Sequence, residues 1–91
     1  METVAAFTKL DDAEGSLRCP VLGLDGRMMQ LKLPKWVDIG SAVKVEADDT
    51  LSLGEVSYCR AEGDSYVVWV ELFQSLHNVA ELARLAQALV A

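Results

Sequence analysis

The chain has 91 residues, a net charge of −6 and a hydrophobic share of 52%, which is enough for one small domain with its own core. The acidic balance argues against a nucleic-acid binder or a protein that attaches to anionic membranes, because both need a basic surface. No apolar run approaches the ~20 residues of a membrane-spanning helix and the start does not resemble a signal peptide, so we expect a cytoplasmic protein without membrane insertion.

The first third of the chain predicts three short strands. Weak alternation over residues 4–8 indicates a short edge strand, and the polar stretch at 11–15 indicates a turn. Two apolar runs, Leu17 to Leu22 and Met28 to Leu33, flank the pair Asp25-Gly26. Asp-Gly between apolar runs is typical of a tight hairpin turn with positive φ, so these runs should pair as antiparallel strands.

A loop and a fourth strand follow. Pro34 removes a backbone donor and should end the third strand, and Lys35 to Gly40 then read as a loop. We expect a strand over Ala42 to Ala47, and Asp48-Asp49 then turns the chain into the next segment.

The segment from Thr50 to Phe73 predicts a central hairpin that turns at Glu62-Gly63-Asp64. Strict alternation in its first strand places Val56 and Tyr58 on one face. The opposite face then carries Glu55, Ser57 and Cys59. The second strand is apolar on both faces, so its second face needs a cover. One face carries Tyr66, Val68, Val70 and Leu72, and the other carries Val67, Trp69 and Phe73.

The C-terminal segment is the expected cover. Asn78 is a suitable N-cap and Glu81 completes a capping box. An apolar stripe of helical period follows, which predicts a helix over about residues 78–90. We therefore expect an α+β, mostly β fold in one domain, residues 1–91: a small antiparallel six-stranded β-barrel over about residues 4–74, closed by one C-terminal helix.

Nothing in the sequence supports catalysis. His77 has no nucleophile at a meaningful spacing, and the acidic pairs fall on turns where adjacent side chains diverge. Cys19 and Cys59 are interpreted as buried structural thiols, since two cysteines and one histidine do not complete a zinc site. We expect no enzyme, no metal and no cofactor.

The central hairpin resembles a known family. The segments Leu53-Gly54-Glu55-Val56, Tyr58-Cys59-Arg60 and Gly63 to Val68 resemble the last two strands of a PilZ domain, a small bacterial barrel that typically senses cyclic di-GMP. The resemblance covers about residues 17–90 and is strongest from Thr50 onward. It implies a barrel with a helix packed beside it, and a place in bacterial signalling or motility.

The nucleotide-binding residues of that family are missing. Its members bind cyclic di-GMP with an arginine-x-x-x-arginine arm and an Asp/Asn-x-Ser-x-x-Gly turn, whereas this chain has Gly23, Asp25 and Met28 at the three defined turn positions. No arginine precedes Arg18, so the arm is absent. Trp69 stands where the family usually has glycine. The resemblance therefore implies a PilZ-like domain without the usual nucleotide site.

Two functions remain open at this stage. The first is a non-enzymatic interaction module that binds a protein partner or another copy of itself. The second is a cyclic di-GMP receptor that uses Arg18, Arg27 and Arg60 as basic contacts. The apolar residues that could form an interaction surface could also pack in the core. They are Met28, Met29, Trp36, Val67, Trp69 and Phe73.

Overall fold

The computed structural model describes residues 3–11 and 15–77, which form a closed antiparallel barrel. Each strand is hydrogen-bonded to two neighbours, in the order β1-β2-β3-β6-β5-β4 and back to β1. The predicted six-stranded antiparallel barrel is thus confirmed, while the helix expected over 78–90 lies outside the described residues. The strands are β1 (Val4–Lys9), β2 (Leu17–Asp25), β3 (Met28–Leu33), β4 (Ala42–Ala47), β5 (Thr50–Glu62) and β6 (Ser65–His77).

Most predicted boundaries are confirmed, with β3 and β4 beginning and ending at the predicted residues. Two predictions fall short: β2 continues to Asp25, and β6 continues to His77, four residues past Phe73. The prediction that β1 is an edge strand is wrong. Because the barrel closes through β1, it pairs with β2 on one side and with β4 on the other.

The hairpin turns use backbone conformations that glycine adopts easily. The β2–β3 and β5–β6 connections have two residues each, and the first of them is Gly26 (φ +61°) or Gly63 (φ +60°). A positive φ at the first central position is the requirement of a type II′ turn, which matches the twist of paired strands. The predicted Asp-Gly hairpin and Glu62-Gly63-Asp64 turn are confirmed.

The core fills the barrel with side chains from all six strands. These residues are less than a tenth exposed and alternate with outward-facing ones along each strand. The loop after β3 also contributes Val37, which is 2% exposed and belongs to the same cluster. The remaining members are Ala5, Phe7, Cys19, Met29, Leu31, Leu33, Val43, Val45, Val56, Cys59, Val68, Val70 and Leu72.

A β-bulge in β5 overturns the predicted faces of that strand. Val56 pairs with Val70 and Tyr58 pairs with Trp69, so Ser57 is the extra residue. An extra residue reverses the inward and outward alternation beyond it. Cys59 therefore enters the core at 4% exposure, and Tyr58, predicted to share the face of Val56, lies outside at 50% exposure.

Candidate protein-interaction surface

The outer face of the β5–β6 hairpin carries an aromatic and cationic cluster. The rings of Tyr58 and Trp69 lie 5.2 Å apart at an angle of 53°. The guanidinium carbon of Arg60 lies 5.3 Å from the centre of the Trp69 ring, within the range of a cation–π contact. We call Tyr58, Arg60 and Trp69 the Trp69 cluster.

The fold positions this cluster through the register of two long strands. The bulge at Ser57 brings Tyr58 directly opposite Trp69, where cross-strand aromatic pairs stabilise a sheet by about 0.2–1 kcal/mol. Arg60 also forms an ion pair with Glu62, whose carboxylate oxygen is 3.0 Å from the guanidinium nitrogen. The cluster thus stands on hydrogen-bonded strands rather than on a loop.

Met28 extends this surface onto β3. It pairs with Glu71 at the start of the strand and is partly exposed. The hydroxyl of Ser57 on β5 donates to the Met28 sulfur over 3.4 Å, so the Met28 side chain reaches across β6. Methionine adapts its shape easily and is common at binding surfaces.

The structure divides the other predicted surface residues. Met29 is 8% exposed and belongs to the core, so its prediction as a surface residue is wrong. Successive side chains of a strand point to opposite faces, so of Met28 and Met29 only one can face outward, and here it is Met28. Val67 is also buried, at 4% exposure, although it lies outside the core cluster. Phe73 is 57% exposed and follows Leu72 at a second β5–β6 bulge.

Trp36 lies apart from the Trp69 cluster, in the loop after β3. It is 50% exposed, its indole nitrogen donates to the Asp38 carboxylate over 2.9 Å, and its ring meets Tyr66 edge-on at 6.1 Å. Of the predicted surface residues, Trp69 contacts Tyr58 and Arg60, and Met28 lies beside them through its contact with Ser57. Sequence reasoning missed Tyr58 because strict alternation placed it inside the barrel.

The three arginines of the cyclic di-GMP alternative lie on different elements. Arg18 is on β2, Arg27 is in the β2–β3 turn and Arg60 is on β5. Two strands separate β2 from β5 in either direction around the closed barrel, so Arg18 and Arg60 lie on strands at opposite sides of it. Arg60 is already engaged by Glu62 and Trp69, so a shared ligand would have to replace these contacts.

The cysteines are buried free thiols, as predicted. The Cys19 thiol donates to the carbonyl of Ala5 over 3.6 Å, and burial raises the pKa of Cys19 to about 11. A buried thiol with a raised pKa is a poor nucleophile, because the thiolate is the reactive form. Within residues 3–11 and 15–77, no three side chains of His, Cys, Asp or Glu are grouped as a metal site would require.

Comparisons with known proteins assign no family. Neither a family profile, nor a curated protein, nor a solved structure matches the chain. In the part of the chain that the structure describes, no helix has the length and apolar character to cross a membrane. The geometry of the Trp69 cluster therefore carries the functional argument.

Proposed function

We propose that this chain is a non-enzymatic, PilZ-like interaction module that acts in the cytoplasm through protein–protein contacts in bacterial signalling or motility, without the usual cyclic di-GMP site. The observation that carries the proposal is the Trp69 cluster. Trp, Tyr and Arg are the residue types most enriched among the energetic hot spots of protein interfaces.

The cluster has the properties of a binding anchor. Tyr58 is half exposed although its ring is held against Trp69, so little side-chain freedom is lost when a partner covers it. Arg60 adds a cation that already lies over an aromatic face. Met28 is partly exposed and contacts Ser57, which precedes Tyr58 in β5, so it lies beside the cluster.

The absence of the family's nucleotide motif supports the same proposal from the sequence. Asp25 stands at a turn position where a dianionic ligand would meet a carboxylate, and this repulsion disfavours binding. We expect no heat of binding in a calorimetric titration with cyclic di-GMP at low micromolar concentration. Saturable binding with a Kd near 1 μM would favour the receptor alternative, with Arg18, Arg27 and Arg60 as the first residues to replace.

Partner capture tests the proposal directly. The full chain serves as bait in an extract of its source cell, beside Tyr58→Ala, Arg60→Ala and, as a matched control, Trp36→Ala. A hot-spot residue contributes at least about 2 kcal/mol to the free energy of binding, so each cluster variant should raise the Kd for a specific partner about 30-fold.

Trp36→Ala removes an equally exposed aromatic residue away from the cluster and should retain the partner. A thermal melt of each variant checks that the barrel remains folded. Equal capture by the wild type and both cluster variants would refute the assignment of this surface.

A further inference from the structure

The β5–β6 hairpin is longer than the strands beside it, which leaves one end of β6 open. β3 pairs with β6 only as far as Glu71, and the Leu72 amide makes the last backbone hydrogen bond on that side, to the Arg27 carbonyl over 2.7 Å. Beyond it, among the residues that the structure describes, Gln74 to His77 pair with β5 alone and Phe73 is the extra residue of the bulge. We call residues 73–77 the open edge.

An apolar cleft lies beside the open edge, at the same end of the barrel. Its volume is about 350 Å³, and its lining includes Ser52 and Ser75, whose hydroxyls are hydrogen-bonded to each other over 2.8 Å. Leu24, which is 60% exposed, also lines it. Alternate side chains of a strand point to opposite faces, so a strand added to the open edge would direct every second side chain toward this cleft.

The composition of the open edge favours strand addition. Natural sheet edges are usually protected from pairing by charged residues. The strand β5 also extends past its neighbour β4, beyond Glu55, but that part of β5 carries the ion pair of Arg60 and Glu62 and is therefore protected. Residues 73–77 contain no Asp, Glu, Lys or Arg, and they expose Phe73 at 57% and Leu76 at 45%.

The charges around the open edge indicate which partner fits. Asp25 and Glu71 lie near its Leu72 end, and Asp48 lies in the turn beside its other end. Arg27 is the one basic residue among these turns. A second copy of the chain would bring the same acidic groups together, whereas a basic segment would be attracted.

We propose that the open edge accepts an extended, basic segment of a partner protein as an added strand, with alternate apolar side chains in the cleft. This inference rests on the proposed function and specifies how one partner is recognised. Main-chain hydrogen bonds supply the pairing, and the cleft supplies the selectivity for apolar residues.

The test uses the full chain, labelled with nitrogen-15, and a capped heptapeptide of alternating lysine and valine. We expect saturable shifts centred on residues 73–77 and amide exchange slowed at least tenfold there. Methylating alternate backbone nitrogens of the peptide should abolish binding, and replacing lysine by glutamate should weaken it at least tenfold. Binding that survives N-methylation, or that prefers glutamate, overturns the proposal.

A charge pair at one exposed position provides the matched variants. Leu76→Lys should weaken binding of the lysine peptide at least tenfold, and Leu76→Glu should strengthen it, with both variants melting close to the wild type. Trp36→Ala, in the loop after β3 and away from the open edge, should leave peptide binding unchanged. If no peptide binds while partner capture still depends on Tyr58, strand addition is refuted and the interaction module stands.

Two other occupants of the open edge would also overturn the proposal. If the peptide binds only after the chain is truncated at His77, then residues 78–91 cover the edge. If sedimentation shows a dimer that the peptide does not dissociate, then a second copy covers it.

Discussion

Gly54 offers the sharpest test of how the barrel is packed. It lies in β5 at the shift of register between Leu53 and Gly54, where the backbone of β6 approaches closely. A Cβ atom at this position would overlap the carbonyl oxygen of Glu71 and stand 3.1 Å from its carbonyl carbon. It would also stand 3.1 Å from a methyl group of Val70. Replacing Gly54 by alanine therefore requires the β6 backbone itself to shift.

The expected cost follows from that contact. Overpacking a well-filled core typically costs about 1–3 kcal/mol, and here the obstacle is backbone, which cannot rotate away as a side chain can. For a domain of this size each kcal/mol corresponds to about 4–8 °C in melting temperature, so Gly54→Ala should lower it by about 5–20 °C.

Gly23→Ala is the matched control. Gly23 also lies in a strand beside a register shift, it has no positive φ, and a Cβ there would have no neighbour within 4 Å. Alanine at this position should stabilise the fold by up to about 1 kcal/mol, by restricting the unfolded chain. Circular dichroism melts of the three proteins provide the measurement. Equal melting temperatures for Gly54→Ala and Gly23→Ala would refute this account of the packing.

Three further predictions follow from the core and the surfaces. Unfolding returns the raised Cys19 pKa toward its ordinary value of 9.0. The difference in unfolding free energy between the wild type and Cys19→Ala should therefore be constant below pH 9 and should fall by at most about 1.4 kcal/mol per pH unit up to about pH 11. Urea titrations that give the same difference at every pH would contradict this. Trp69→Gly should reduce partner capture or self-association while the barrel still melts cooperatively; a collapsed melt, with no association in the wild type, would make Trp69 an ordinary packing residue. The helix expected over residues 78–90 stays a prediction. Leu82→Ala, or truncation after His77, should lower the melting temperature, because replacing a buried leucine by alanine lowers the free energy of unfolding by about 2–5 kcal/mol. An unchanged melting temperature would mean that the segment is free to bind a partner.

Much of the barrel could be predicted from the sequence because its signals are local. The turn at Gly26 follows from one glycine placed between two apolar runs, and its φ of +61° is what such a turn requires. The end of β3 at Leu33 follows from Pro34, which lacks a backbone donor. The bounds predicted for β3, as an apolar run after the turn, and for β4, between the loop and Asp48-Asp49, are those of the structure.

The candidate surface depended on information that no local pattern contains. Tyr58 reaches Trp69 only because one extra residue at Ser57 reverses the alternation of β5, and a bulge is defined by what the partner strand does. The second neighbour of β1, and the end of β6 that pairs with β5 alone among the described residues, likewise depend on strands far apart in the chain. The sequence alone determined which residues favour strands and turns. Tertiary pairing decided which side chains meet on the outside of the barrel, because strand register is a property of two segments rather than of one.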